Sequence, residues 1–258
     1  MNKILIIPDV HGRIFWKKAI ELIDIVDKVV FLGDYLDPYS HENISKKQAI
    51  DNFNEILSFK RNYDNKVILL IGNHDLHYWP QYKRDWGCRR DDTNFDLISK
   101  MFMDNLELFQ LTWKYDRYLF SHAGVTKGWF DLITGKSKIG DSTYAELMDI
   151  KDYPIITLDN LNELINLSLG HNLLNMVSRE RGGHFIDGSC IWADVYEHTY
   201  AEPVDPNIYQ IFGHTMMTPS IYKPLIKSDF AMLDSQHCYM LNVESGDFIE
   251  EEDDVKVC

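Results

Sequence analysis

Five short blocks along the chain hold side chains suited to divalent cations: Asp9-x-His11, Gly33-Asp34, Gly72-Asn73-His74-Asp75, His122 and Gly213-His214. Asp, His and Asn offer carboxylate, imidazole and amide oxygen, a hard-to-borderline set without thiolate. Such a set suits two adjacent cations, and with them a hydrolase of phosphate esters. Asp9 and His11 stand two residues apart and project the same way from a strand end, because strand side chains repeat with period two. Both can grip a first cation. Asp34 can bridge two cations through its two oxygens, and Asn73 offers an amide oxygen to the second, completed by His122 and His214. Gly12, Gly33 and Gly72 allow the sharp turns that bring separate strand ends to one point.

The elements that must position these blocks are visible in the hydrophobic pattern. Apolar runs at Ile4–Ile7, Val29–Leu32 and Val67–Ile71 each break into a polar, glycine-containing turn, as strands buried on both faces do. Helical spacing fills the intervals. Ile14 to Val26 is one such stretch, and Ser45-x-x-Gln48 forms a capping box before Ala49, Phe53, Ile56 and Leu57. Alternating strand and helix predict a mostly parallel sheet with right-handed crossovers, whose functional residues gather beyond the C-terminal strand ends. Leu106 to Trp113 and Arg117 to Ser121 predict a β-hairpin that delivers His122. Residues 128–183 read as helical, with Asp159 capping a helix from Asn160 to Met176. Tyr209–Phe212 then delivers Gly213-His214, and strands recur at Phe230–Leu233 and Cys238–Val243. The expected organisation is one domain over 1–258, with a helical insertion at about 128–183 and an acidic tail at about 250–258.

A net charge of -14 argues against nonspecific wrapping of nucleic acid, which relies on Lys and Arg neutralising phosphates. Cys88, Cys190, Cys238 and Cys258 form no CxxC pair, so neither a zinc knuckle nor a disulfide framework is expected. No segment approaches the roughly 18 apolar residues of a membrane span. The expected compartment is the cytoplasm.

The blocks Asp9-Val-His11-Gly12, Gly33-Asp34-Tyr35-Leu36-Asp37, Gly72-Asn73-His74-Asp75, Ser121-His122-Ala123-Gly124 and Gly213-His214-Thr215 resemble the signature of the calcineurin-like metallophosphoesterases over residues 4–215. The resemblance implies an α/β fold, a four-layer αββα sandwich of two mixed sheets, here bearing the helical cap insertion. It implies that Asp9, His11 and Asp34 hold one metal, and that Asp34, Asn73, His122 and His214 hold the other. Two divalent ions are then the cofactors, with Mn the expectation and Fe or Zn the alternatives. The reaction implied is attack of a metal-bridging hydroxide on a phosphate ester, with no covalent phospho-enzyme. A single histidine in Gly213-His214-Thr215-Met216, the His-Ala-Gly block, Asp37 and Trp192-Ala193-Asp194 are similar to phosphoprotein phosphatases, and most of these features also to symmetrical dinucleoside tetraphosphatases. Pro38 departs from both, which place a phosphate-clamping arginine there.

The leaving alkoxide needs a proton. His74, next to Asn73, is the candidate general acid, and Asp37 the candidate partner that orients it and favours imidazolium. A plain hydrogen bond from His74 and a turn role for Asp37 are the competing readings. Arg181 and Arg179, in Ser178-Arg-Glu-Arg-Gly-Gly-His184, are the candidate substrate-binding cations, since a guanidinium suits phosphate in a bidentate fork. Residues 83–90 mix cations with aromatic side chains and either line a substrate groove or form an exposed loop. His77 fits no ligand spacing but lies close behind His74. The expected activity is a phosphomonoesterase of the protein Ser/Thr phosphatase type acting on a phosphoprotein or nucleotide. The alternatives are a dinucleoside polyphosphate hydrolase, a phosphodiesterase, or a metal-binding scaffold without turnover. Neither stable nucleic-acid binding nor a membrane partner is expected.

Overall fold

The buried run Lys3–Ile7 forms β1, followed by β2 (Lys28–Phe31), β3 (Val67–Leu70), β4 (Phe109–Gln110), β5 (Thr112–Tyr115) and β6 (Tyr118–Ser121). Then come β7 (Tyr209–Phe212), β8 (Leu225–Ile226), β9 (Phe230–Met232), β10 (Cys238–Asn242) and β11 (Phe248–Glu251). These positions come from a computed structural model that describes residues 2–80, 89–138, 140–143, 146, 149, 153–167, 170–216 and 223–251. Residues 83–88 of the predicted groove segment and 252–258 of the acidic tail lie outside the described residues. The chain is mixed α/β with two mixed sheets, one in the order β11-β10-β1-β2-β3-β4 and the other β5-β6-β7-β9-β8. Among the described residues no helix is long and apolar enough to cross a membrane.

Two compact units divide the contacts. The first comprises Met1–Gln110, Met216–Leu225 and Leu233–Cys258, and the second Leu111–Thr215 and Ile226–Met232. In the first unit β1, β2, β3 and β4 run parallel, while β10 pairs antiparallel with β1 and β11 with β10. Ile4 to Ile7 and Val29 to Leu32 are fully buried, as the unbroken apolar runs predicted. The helix α2 (Lys46–Asn62) starts at the predicted capping box: Gln48 N donates to Ser45 Oγ at 3.2 Å, and Ser45 N donates to Gln48 Oε1 at 2.9 Å. It buries Phe53 against Tyr35 and Phe102, with ring centroids 5.3 and 4.9 Å away.

That aromatic cluster corrects the predicted hairpin. Leu106–Leu108 is a 3-10 turn, and Phe109–Gln110 pairs in parallel with β3 in the first sheet. Phe109 packs 5.4 Å from Phe102 and 5.8 Å from Tyr35, and burying this ring decides the pairing over local hairpin propensity. The hairpin itself is shorter, β5 with β6, in the second unit.

In the second unit β6, β7 and β9 run parallel. The stretch after β6 holds a helix at Lys127–Ile133, capped by Thr126, whose Oγ1 accepts from Trp129 N at 3.3 Å. The predicted helix from Asn160 to Met176 is broken in two, Glu163–Asn166 and Gly170–Leu174, with Leu167 extended at φ -72° and ψ 138°. Asp159 does not cap it: the first piece starts at Glu163 with Asn162 at the cap position, and the Asp159 carboxylate meets Lys114 Nζ at 2.6 Å.

His198 is a core histidine, its ring centroid 4.7 Å from Phe212 and 5.9 Å from Phe230, with Nε2–H donating to the Ala123 carbonyl at 3.1 Å. Gly124 has φ +82°, and a Cβ there would strike the His198 ring. Burial lowers the His198 pKa to about 4. Between about 6.5 and about 4 the unfolded chain therefore binds more protons, so stability rises with pH and is lost on acidification. The loss is on the order of 2 kcal/mol after allowing for partial exposure. Thermal unfolding of His198→Gln, which keeps an N–H donor without a charge, is expected to show a flatter pH dependence across this window. An unchanged slope would remove His198 as the cause.

Candidate functional site

The first group of predicted residues lies in the first unit, on turns that follow β1, β2 and β3. The turns after β1 and β2 run side by side: His11 N donates to the Asp34 carbonyl at 2.6 Å, and Gly12 N to the Tyr35 carbonyl at 2.9 Å. The turn after β3 locks onto them through Asp75. Its carboxylate accepts from the backbone N–H groups of Gly72, Asp34 and Tyr35 at 2.8, 2.8 and 3.0 Å. A Cβ on Gly72 would fall on the Asp34 carboxylate, so only glycine permits this approach. Asp9, His11, Asp34, Asp37, Asn73 and His74 are all buried.

Backbone strain collects at these positions. Eight described non-glycine residues have positive φ, and four of them are predicted site residues: His11 at 46°, Asp34 at 54°, Asp37 at 59° and His214 at 66°. Left-handed conformations cost energy and persist where the surroundings impose them, often at functional sites.

The hydrogen bonds fix which atom of each side chain is presented. His11 Nδ1–H donates to the Leu36 carbonyl at 2.9 Å, which leaves the Nε2 lone pair facing Asp34 Oδ2 at 3.6 Å. Burial, followed by the charges of His74, Arg13 and Arg89, pushes the His11 imidazole well below its usual pKa and keeps it neutral, the form that binds a metal. Burial, then repulsion from Asp9 and Asp75, holds the Asp34 carboxyl well above the ordinary carboxylate range in the chain alone. A divalent cation relieves that repulsion, and His11, Asp34 and His74 offer donor atoms within 4.8 Å of one another. The donor set therefore fits a hard-to-borderline divalent ion.

Beside it stands a hydrogen-bonded acid–base group. His74 Nδ1 and His77 Nε2 both donate to Asp37 Oδ2, at 3.1 and 3.0 Å, and the Tyr78 hydroxyl donates to Oδ1 at 2.6 Å. Burial alone would raise the Asp37 pKa, but the bonds from the two histidines outweigh it and hold the carboxyl well below its usual range. Burial lowers the His74 pKa, and Asp37 opposes that shift. With Nδ1 bound to Asp37, Nε2 is the nitrogen of His74 that can exchange a proton with a ligand. Sequence reasoning assigns no role to Tyr78 and groups Asp75 with the metal blocks. The structure gives Asp75 a backbone-anchoring role that its three-residue spacing from Gly72, a helix-capping signal, could have shown.

The second group lies in the second unit. His122 follows β6 and His214 follows β7, with Gly213 N donating to the His122 carbonyl at 2.8 Å. Their ring nitrogens, His122 Nε2 and His214 Nδ1, are 3.0 Å apart. Arg181 is anchored beside His214: its Nη2 donates to the His214 carbonyl at 2.7 Å and to Thr215 Oγ1 at 3.0 Å, while Nε meets Asp194 Oδ2 at 3.0 Å. Asp194 also caps the helix Val195–Tyr200, accepting from Tyr196 N at 3.0 Å. Arg179 is exposed, two residues away in the same 3-10 turn.

A family model described as calcineurin-like phosphoesterase matches residues 2–217. A sequence search among curated proteins found no match. Among solved structures, the chain is similar to a protein serine/threonine phosphatase from Saccharomyces cerevisiae with similarity to human phosphatase PP5, at 12% identity and TM-score 0.47, covering 99% of this chain and 82% of that one. A metallophosphoesterase from Sphaerobacter thermophilus aligns at 17% identity and TM-score 0.29, over 49% of this chain and 48% of its own. Yfce, a phosphoesterase from E. coli, aligns at 10% identity and TM-score 0.37, over 96% of each chain.

Proposed function

We propose that this chain, which belongs to the calcineurin-like phosphoesterase family, is a dinuclear phosphomonoesterase of the protein Ser/Thr phosphatase type. Family membership makes it a metal-dependent phosphoesterase whose substrates carry phosphate. The finer reading rests on the buried His74–Asp37 pair beside the His11–Asp34 group: a neutral imidazole and a crowded carboxylate to hold cations, and a second imidazole oriented to give a proton.

In this reading the ligand set is the one expected from sequence. Asp9, His11 and Asp34 would hold one cation, and the family resemblance assigns Asp34, Asn73, His122 and His214 to the other. Bound cations, with Mn the expected pair, supply positive charge that activates water and offsets the charge of the phosphoryl oxygens. Asp37 fixes the His74 ring through Nδ1 and favours its protonated form, so that Nε2–H can be donated to the departing alkoxide. His77 and Tyr78 hold the Asp37 carboxylate in place from behind. Arg181 is the better candidate of its pair for a substrate oxygen, because Asp194 orients its guanidinium. The compartment proposed remains the cytoplasm.

Turnover of aryl phosphate monoester and diester, compared across Mn, Fe and Zn, tests the reading. Monoester hydrolysis is expected to dominate, with Mn most effective. Dominant diester cleavage would favour a phosphodiesterase, and bound metal without turnover of either would favour a scaffold.

A further inference from the structure

Arg89 is tied into the loop that carries the acid–base group, although 52 residues of chain separate it from Asp37. Its Nε and Nη2 both point at the Asp37 carbonyl, at 3.3 and 3.2 Å. Its guanidinium carbon lies 3.5 Å from the centroid of the Tyr39 ring. A fork on a carbonyl and a stack on an aromatic face together fix both the plane and the tilt of a guanidinium. The same two anchors touch the site. The Asp37 side chain holds His74, and the Tyr39 ring meets the His11 ring edge-on at 5.3 Å.

The neighbouring arginines are already neutralised. Arg13 meets Glu42 at 2.6 Å, and Arg90 meets Asp92 at 2.7 Å. Among the described residues no carboxylate pairs with Arg89, which is half-buried. A partly desolvated cation without a counter-charge is costly, and an incoming anion would offset that cost. A cavity of about 270 Å³ lies beside Arg89, between α2, the Asp37–Ser40 loop and residues 89–91.

We propose that Arg89 is an oxyanion-binding residue of this enzyme. The Nε side of the guanidinium stays on the Asp37 carbonyl, and the edge formed by its two terminal nitrogens takes phosphoryl oxygens of a phosphate monoester in a bidentate fork. The assignment rests on the phosphoesterase reading for its substrate, but its test does not depend on turnover.

Binding of inorganic phosphate to the metal-loaded protein is measured by titration calorimetry for the wild type, R89K and R89A. The same three proteins are assayed on an aryl phosphate monoester. R89A is expected to weaken phosphate binding and raise KM by about 10–100-fold, the loss of charge-assisted hydrogen bonds, with metal content and Tm near wild type. R89K, which keeps the charge but not the fork, is expected to recover only part of the affinity. Added guanidinium ion should restore R89A in part, a result that a loop-clamping role would not give. Unchanged phosphate affinity in R89A or R89K overturns the proposal, whatever happens to kcat. So does a wild type that binds no phosphate. If the wild type binds phosphate but turns over no ester, the phosphoesterase reading fails, and the R89K and R89A affinities still decide the role of Arg89. Should R89A fail to fold, R89K alone decides it.

Discussion

Replacing His74 by asparagine is expected to lower kcat by about 10²–10⁴-fold while metal content stays near that of the wild type. The neighbouring Asn73, not His74, is the proposed ligand, and the His74 ring is committed through Nδ1 to Asp37 at 3.1 Å. Asparagine keeps a polar side chain of modest size on the short helix Asn73–Leu76 but has no proton to give near neutral pH. A companion variant, Asp37→Asn, separates proton donation from packing. Burial lowers the His74 pKa, and the hydrogen bond and charge of Asp37 oppose that shift. Removing the charge therefore moves the His74 pKa down. A general acid works only while protonated, so activity declines as pH rises through this pKa, and the alkaline limb of kcat should move to lower pH in Asp37→Asn. A purely structural His74 would leave the limb where it is. If His74→Asn instead lost metal in proportion to activity, His74 would be a ligand, as its place within 4.8 Å of His11 and Asp34 allows.

The residues that carry this argument were legible because their chemistry is local. Asp9 and His11, Asp34, Asn73 and His74 each follow an apolar run, and the end of a buried parallel strand is a place that sequence periodicity can mark. The capping box at Ser45 and the spans of β1, β2 and β3 were legible for the same reason. What escaped depends on contacts distant in sequence. Tyr78 reaches Asp37 across 41 residues and Arg89 across 52, and neither spacing leaves a pattern in the chain. Phe109 joined the first sheet because its ring packs against Tyr35, Phe53 and Phe102, and Tyr35 and Phe53 lie far outside any window around it. The helix expected from Asn160 starts instead at Glu163, with Asn162 at its cap position, and ends at Leu167, where the backbone turns extended. The left-handed backbone at His11, Asp34, Asp37 and His214 was likewise hidden, since Asp and His tolerate it without advertising it.

Asp34→Asn should change stability in opposite directions with and without metal. In the metal-free chain Asp34 is buried beside Asp9, Asp75 and Asp37, and burial with this repulsion holds its carboxyl well above the ordinary range. Neutralising it removes like-charge repulsion on the order of 1–2 kcal/mol, so in chelator the variant's Tm should rise by about 2–6 °C. The fold should tolerate the change, because Asn keeps an acceptor oxygen for His74 N–H, which Asp34 Oδ1 now accepts at 2.9 Å. Alanine would leave that buried donor unsatisfied and confuse the result. With Mn added, the order should reverse. A ligand that binds only the folded chain stabilises it by about 2.7 kcal/mol at a hundredfold excess over Kd, and the variant loses a carboxylate that would help hold the cations. Turnover should fall by several orders of magnitude, since activation of water near neutral pH depends on cation charge. Two melting curves per protein, in chelator and in Mn, read both signs at once. A variant less stable than the wild type in chelator would mean that Asp34 serves chiefly as a structural acceptor. Equal stabilisation of both proteins by Mn would place the metal elsewhere.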